Sequence, residues 1–121
     1  MSVTCIRVQA DENQIKSCRQ AIGELNQHFL DASLKMGAVG NPTRMKILFL
    51  LREEGRMCPC DLSDILGMSV PAISQHLMKM KSLDLVFATR EAQTLYYSIH
   101  EKEKMFVNEV LSLVAKSTPT L

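Results

Sequence analysis

Tryptophan is absent, and the aromatic residues together make up only 5% of the 121-residue chain. Packing must therefore fall to Leu, Ile, Val and eight methionines, a composition that favours a mainly helical core over a β-sandwich. An excess of either charge is also lacking: 14 Lys and Arg against 13 Asp and Glu leave a net +1. Such a chain has no global pull on a polyanion, so any nucleic-acid affinity has to come from local patches and from pairing two copies. No run approaches the roughly 18 consecutive apolar residues of a membrane span. The segment from Met1 to Asp11 lacks the basic-then-apolar layout of a secretory signal, which points to a cytoplasmic protein. Phosphate-cradling glycine loops, a nucleophile elbow and a paired acid–base motif are also missing, which argues against an enzyme.

What is present is ordinary globular composition, 46% hydrophobic and 22% charged, in a length that suits one domain. Residues 1–10 show no helical period and read as a flexible arm carrying Cys5, ahead of a domain spanning 11–117. Asp11 is a good helix N-cap, and Ile15, Cys18, Ile22, Leu25 and Phe29 recur at the spacing of one helix face. A second short helical piece is expected over Leu30 to Val39, broken by Gly40 and Asn41. Pro42 then opens a helix to about Glu54, closed by Gly55.

Cys58-Pro59-Cys60-Asp61 opens a short helix through Leu62, Ile65 and Leu66. Gly67-Met68-Ser69 forms a tight turn, and a further helix runs from Pro71 to about Ser82, burying Ile73, Leu77 and Met80. Two helices joined in this way match a helix-turn-helix. The period then changes. Leu85 to Arg90 and Thr94 to Ile99 flank Glu91-Ala92-Gln93 as a short hairpin, the expected wing. A last helix, about Glu101 to Lys116, carries Phe106, Val107, Val110, Leu111, Leu113 and Val114. That apolar surface suggests a dimer seam shared with the first helix. The predicted fold class is thus mainly α, a winged helix-turn-helix with a short β-hairpin wing, homodimeric through its first and last helices.

In a helix-turn-helix the second helix enters the major groove, where its N-terminal residues meet base edges. The candidates are Ser69, Ala72, Ser74, Gln75 and His76. Gln75 can pair bidentately with adenine, and Ala72 can touch a thymine methyl. Lys79, Lys81 and Arg90 suit phosphates, which give affinity and register but little sequence information. His76 borders the buried face, where a packed, hydrogen-bonded histidine is the alternative.

Taken in order, Asn41-Pro-Thr-Arg-Met-Lys-Ile-Leu, Cys58-Pro-Cys-Asp-Leu-Ser-Asp-Ile-Leu-Gly, Val70-Pro-Ala-Ile-Ser-Gln-His-Leu and Leu95-Tyr-Tyr-Ser-Ile resemble the ArsR/SmtB metalloregulators over roughly residues 30 to 115. The resemblance implies a homodimeric repressor on double-stranded, pseudo-palindromic operator DNA, released when an inducer binds. Two thiolates one residue apart can converge on one ion, and Pro59 partly pre-shapes the pair. Sulfur ligation selects soft ions such as Cd(II), Pb(II), Hg(II), Cu(I) or As(III). Cys58 and Cys60 are therefore the core metal ligands expected here.

Cys5 on the arm suits a ligand that closes over the site, as the resemblance to the CadC-like, cadmium- and lead-sensing branch implies. Cys18 is either a further ligand or a small buried hydrophobe on the first helix. Ser63 stands where the arsenite-sensing branch has a third cysteine. The zinc-sensing branch uses carboxylates and histidines on the last helix; Glu101, Glu103, Val114 and Ser117 at the corresponding positions imply that this zinc site is missing. His28 and His100 read as surface or capping histidines. The alternative function is a thiol-redox-responsive repressor on the same fold, in which Cys5 or Cys18 pairs oxidatively with Cys58 or Cys60.

Overall fold

The computed structural model describes residues 4–116, in two compact units that meet within the first helix, after Ser33. In the N-terminal unit, residues 4–10 have no regular secondary structure, and helix α1 (Glu12–Val39) begins where Asp11 accepts the backbone N–H of Gln14 on Oδ1 at 3.0 Å. That bond satisfies one of the orphan donors of the first turn. The expectation of a break before Leu30 is corrected: α1 is one continuous helix of 28 residues. Nothing between Phe29 and Val39 obliges a stop, since Gly37 costs a helix interior only about 1 kcal/mol. Between Glu12 and Ser33 no side chain is buried, and Ile22, Leu25 and Phe29 are about half exposed.

The second unit runs from Leu34 and contains the core. Helix α2 (Pro42–Glu54) starts from Asn41, whose Oδ1 accepts the Arg44 N–H at 3.0 Å. It ends at Gly55, where a φ of 85° suits a residue without a Cβ. Helix α3 (Pro59–Leu66) stops at left-handed Gly67, whose N–H returns to the Ser63 carbonyl. Helix α4 (Val70–Ser82) is capped by Ser69, Oγ to Ala72 N at 3.3 Å. Asp84, at φ 58°, turns the chain into strand β1 (Val86–Glu91), which pairs antiparallel with β2 (Thr94–Ile99). The register runs from Val86 opposite Ile99 to Glu91 opposite Thr94, leaving Ala92 and Gln93 as the turn. A single 3-10 turn, Glu101–Glu103, leads into α5 (Lys104–Lys116).

Ile47, Leu48 and Leu51 of α2, Leu62 of α3, and Ile73, Leu77 and Met80 of α4 form the centre of the core. Leu85, Val86 and Ile99 close it from the hairpin, and Val107 and Leu111 from α5. Each fully buried aliphatic side chain contributes roughly 1.5–3 kcal/mol. The i, i+4, i+7 spacing of Ile73, Leu77 and Met80 commits one face of α4 to this core. Its other face is thereby left to water or a partner.

Candidate nucleic-acid interface and thiol pair

The outward face of α4 holds Gln75 and Lys79, both exposed, with Ala72, Ser74 and His76 half-buried beside them. Ser69 is exposed at the N-cap, where its Oγ accepts the Ala72 N–H and fixes the start of α4. Lys81 is exposed near the last turn of α4, and Arg90 is exposed near the tip of the hairpin. The residues expected to read bases and those expected to hold phosphates therefore lie on accessible surface.

Two neighbouring arrangements were not visible in the motif. Arg56 stacks its guanidinium over the Tyr96 ring at 4.1 Å and pairs with Glu91 at 2.5 Å, holding the wing from the loop before α3. Arg44 donates from Nε to the Ala38 carbonyl, and its Nη1 lies 3.2 Å from His76 Nδ1. Burial, then the Arg44 charge, holds the His76 pKa below its ordinary value. His76 is thus both a packed, hydrogen-bonded histidine and a half-exposed residue of the reading helix. Only the pairing distance joins these residues; no spacing in the sequence signals it.

Cys58 occupies the N-cap of α3 in extended backbone and makes no side-chain capping bond; Cys60 is exposed in the first turn. Both thiols are free, as are those of Cys5 and Cys18 in the N-terminal unit. Of the two readings of Cys18, a further ligand or a small buried hydrophobe, the second is corrected: the residue is exposed, because its stretch of α1 buries nothing within its own unit. Among the described residues no three His, Cys, Asp or Glu side chains come together in a group able to hold a metal. The donor chemistry of Cys58 and Cys60 fits two sulfur bonds to a soft ion, and leaves a third ligand to come from elsewhere.

The thiol pair is wired to the wing through the backbone. Met57, directly before Cys58, forms a β-bridge with Tyr97 of β2, with N–H···O distances of 3.1 and 2.9 Å in the two directions. A one-residue strand of this kind has no alternation to betray it in a sequence. Ser63, in place of a third cysteine, donates its hydroxyl to the Met68 carbonyl and so ties the turn between α3 and α4.

The positions corresponding to a zinc site are otherwise engaged. Glu103 is buried and paired with Lys35 at 2.7 Å, and Glu101 pairs with Lys104 at 2.8 Å. Ser117 lies outside the described residues. His28 is exposed; His100 is half-buried, edge-on to Phe87 at 5.9 Å, and precedes the 3-10 turn without a side-chain capping bond.

A helix-turn-helix with an accessible second helix and a hairpin wing is the winged helix-turn-helix fold, and the family match makes the class that of DNA-binding transcriptional regulators. Residues 41–87 match the bacterial regulatory protein, arsR family, and the chain belongs to that family. It is 27% identical over 104 residues to a cadmium resistance transcriptional regulatory protein CadC homolog of Staphylococcus aureus, covering 81% of this chain and 84% of that one. An uncharacterized HTH-type transcriptional regulator of Methanocaldococcus jannaschii is 40% identical over 77 residues, covering 64% and 83%.

Among solved structures, reduced HlyU from Vibrio cholerae superposes with a TM-score of 0.67 at 28% identity, over 74% of this chain and 95% of that one. The homodimeric winged helix-turn-helix domain of a possible ArsR-family regulator from Mycobacterium bovis gives 0.68 at 23% identity, over 95% and 94%. At that identity the second likeness speaks for the fold.

Proposed function

We propose that this protein is a cytoplasmic repressor that binds operator DNA as a homodimer and releases it when a soft ion, Cd(II), Pb(II), Hg(II) or As(III), binds its cysteines. The observation that carries the proposal is the free Cys58–Cys60 pair at the N-cap and first turn of α3, one helix ahead of the reading helix. The similarity to a cadmium resistance regulator supports it. Cys58 and Cys60 would hold the ion, with Cys5 and Cys18 as the candidates to complete its ligation. The ion supplies a soft Lewis acid that prefers thiolate sulfur.

The chain's own part is positional. Ser69, Ala72, Ser74, Gln75 and His76 face base edges, while Lys79, Lys81 and Arg90 neutralise phosphates. Because Met57 is bridged to Tyr97, a displacement at the neighbouring Cys58 is carried into β2 and the wing. A coupling of about 1–3 kcal/mol, a change of roughly 5–150-fold in DNA affinity, is the usual scale for such a switch. Exposed apolar residues on α1 and on α5, such as Phe29 and Leu113, support a seam between copies through the first and last helices.

Anaerobic titration of reduced protein with each ion, following thiolate-to-metal absorption and operator binding together, tests the proposal. Binding and release by one ion, lost in Cys58→Ser and weakened in Cys5→Ser or Cys18→Ser, is the expected result. DNA affinity unchanged by all four ions would overturn it. A second reading, a thiol-redox switch, is favoured by the exposure of Cys5, Cys18 and Cys60 as free thiols. Release on mild oxidation without any ion would select it.

A further inference from the structure

Arg44 and His76 are 32 positions apart, yet they join the end of α1, the start of α2 and the reading helix at one point. The Arg44 backbone N–H is held by Asn41, and its Nε is held by the carbonyl of Ala38 in the last turn of α1. With those two ends fixed, Nη1 is delivered to the Nδ1 face of the His76 ring at 3.2 Å. A guanidinium has donors and no acceptor. The contact is therefore a hydrogen bond only if Nδ1 is bare and accepts. A neutral imidazole with a bare Nδ1 carries its proton on Nε2. The ring is half-buried, and Nε2 makes no hydrogen bond to the described residues.

We propose that Arg44 fixes His76 as the neutral Nε2–H tautomer, turning it into a hydrogen-bond donor to operator DNA. Arg44 is then a positioning residue acting through His76. The acceptor would be a purine N7 or O6 or a phosphate oxygen, all of which take one N–H. This rests on the proposal that α4 reads the operator. Protonating the ring would place a proton on Nδ1, against a group that can only donate. Arg44, from α2, is the charged group acting on the ring, and it also disfavours the imidazolium. Lys79 and Lys81 are the other cations of α4. DNA phosphates would pull the other way, toward the charged ring, so the Arg44 contact is what keeps the donor a neutral one.

The test has two arms. In DNA-free protein, long-range 1H–15N spectra of labelled histidine, with His76 assigned through His76→Gln, should show an Nε2–H tautomer at about pH 7.5. Arg44→Met should mix the tautomers and raise the titration midpoint of the ring. An Nδ1–H tautomer in the unaltered protein overturns the proposal, as does a midpoint that Arg44→Met leaves in place.

In the second arm, operator and random-sequence DNA are titrated in parallel. His76→Gln keeps an oxygen for Arg44 and an outward N–H, so it should bind the operator within about threefold of the unaltered protein. His76→Ala should lose about tenfold, within the range of one hydrogen-bonded base contact. A loss confined to the operator assigns a base edge; an equal loss on both DNAs assigns a phosphate. If His76→Ala binds as before while Gln75→Ala loses affinity, this inference fails and the reading helix stands. If neither matters, the reading helix fails with it.

Discussion

Lys35 in α1 and Glu103 ahead of α5, 68 positions apart, form an ion pair at 2.7 Å, with the glutamate buried and the lysine about one-third exposed. Lys35 also lies 6.0 Å from the Phe106 ring centre. The pair joins the C-terminal part of the first helix to the 3-10 turn that leads into the last. Lys35→Met would leave a buried carboxylate without its cation, and a fully buried orphan costs about 3–5 kcal/mol. Water at the exposed ammonium lowers that expectation to about 2 kcal/mol. Urea unfolding of Lys35→Met, Glu103→Met and the double variant checks it, and the double variant should be more stable than the sum of the single losses.

Base and phosphate contacts separate by salt. Gln75→Ala should cost about 1–3 kcal/mol on the operator and little on random DNA. Lys79→Ala and Arg90→Ala should weaken both DNAs alike, and each should lower the slope of log affinity against log salt by about 1. Fluorescence anisotropy across a salt series distinguishes the two behaviours. A salt slope unchanged by both cation removals would take these residues off the phosphate backbone.

Stability should depend on acid through His76. Its pKa is lowered in the folded state by burial and by Arg44, so below about 6.5 the unfolded chain binds a proton that the folded chain resists. The stabilisation is therefore fully present above that pH. It falls as the pH drops from about 6.5 toward the lowered folded value. Thermal melts between about pH 5 and pH 8 should show this slope, and His76→Gln should flatten it.

Ser69→Ala removes the cap of the reading helix and should cost about 1 kcal/mol of stability. Operator binding should fall further than random-DNA binding, because the residues after the cap are those placed toward bases. Amide exchange at Ala72 and its neighbours, faster in the variant, would locate the loss.

Most of the second unit was legible because its signals are local. Asn41 with Pro42, Gly67 and Ser69 each mark an end by the chemistry of one or two residues, and the structure puts the ends there. The hairpin was legible from its β-branched and aromatic runs, although its turn uses Ala92 at φ 58° where glycine or asparagine would have announced it. What local chemistry cannot show is who meets whom across the fold. Arg44 with His76, Lys35 with Glu103, Arg56 with Tyr96 and Met57 with Tyr97 are all made by packing distant segments. The Cys58–Cys60 spacing was plain, whereas the exposure of Cys18 depends on what its helix packs against. The unbroken α1 was missed because an apolar period tells which face is shared, not whether two periodic stretches are continuous.

That helix, about 42 Å long at 1.5 Å per residue, keeps its first 22 residues without a buried side chain in its own unit. A helix that gains little from packing within its unit would take its cohesion from a second molecule in the proposed homodimer. Abundance then becomes a structural variable. If that homodimer forms through α1, dilution should loosen the N-terminal part of the chain before the helix-turn-helix core.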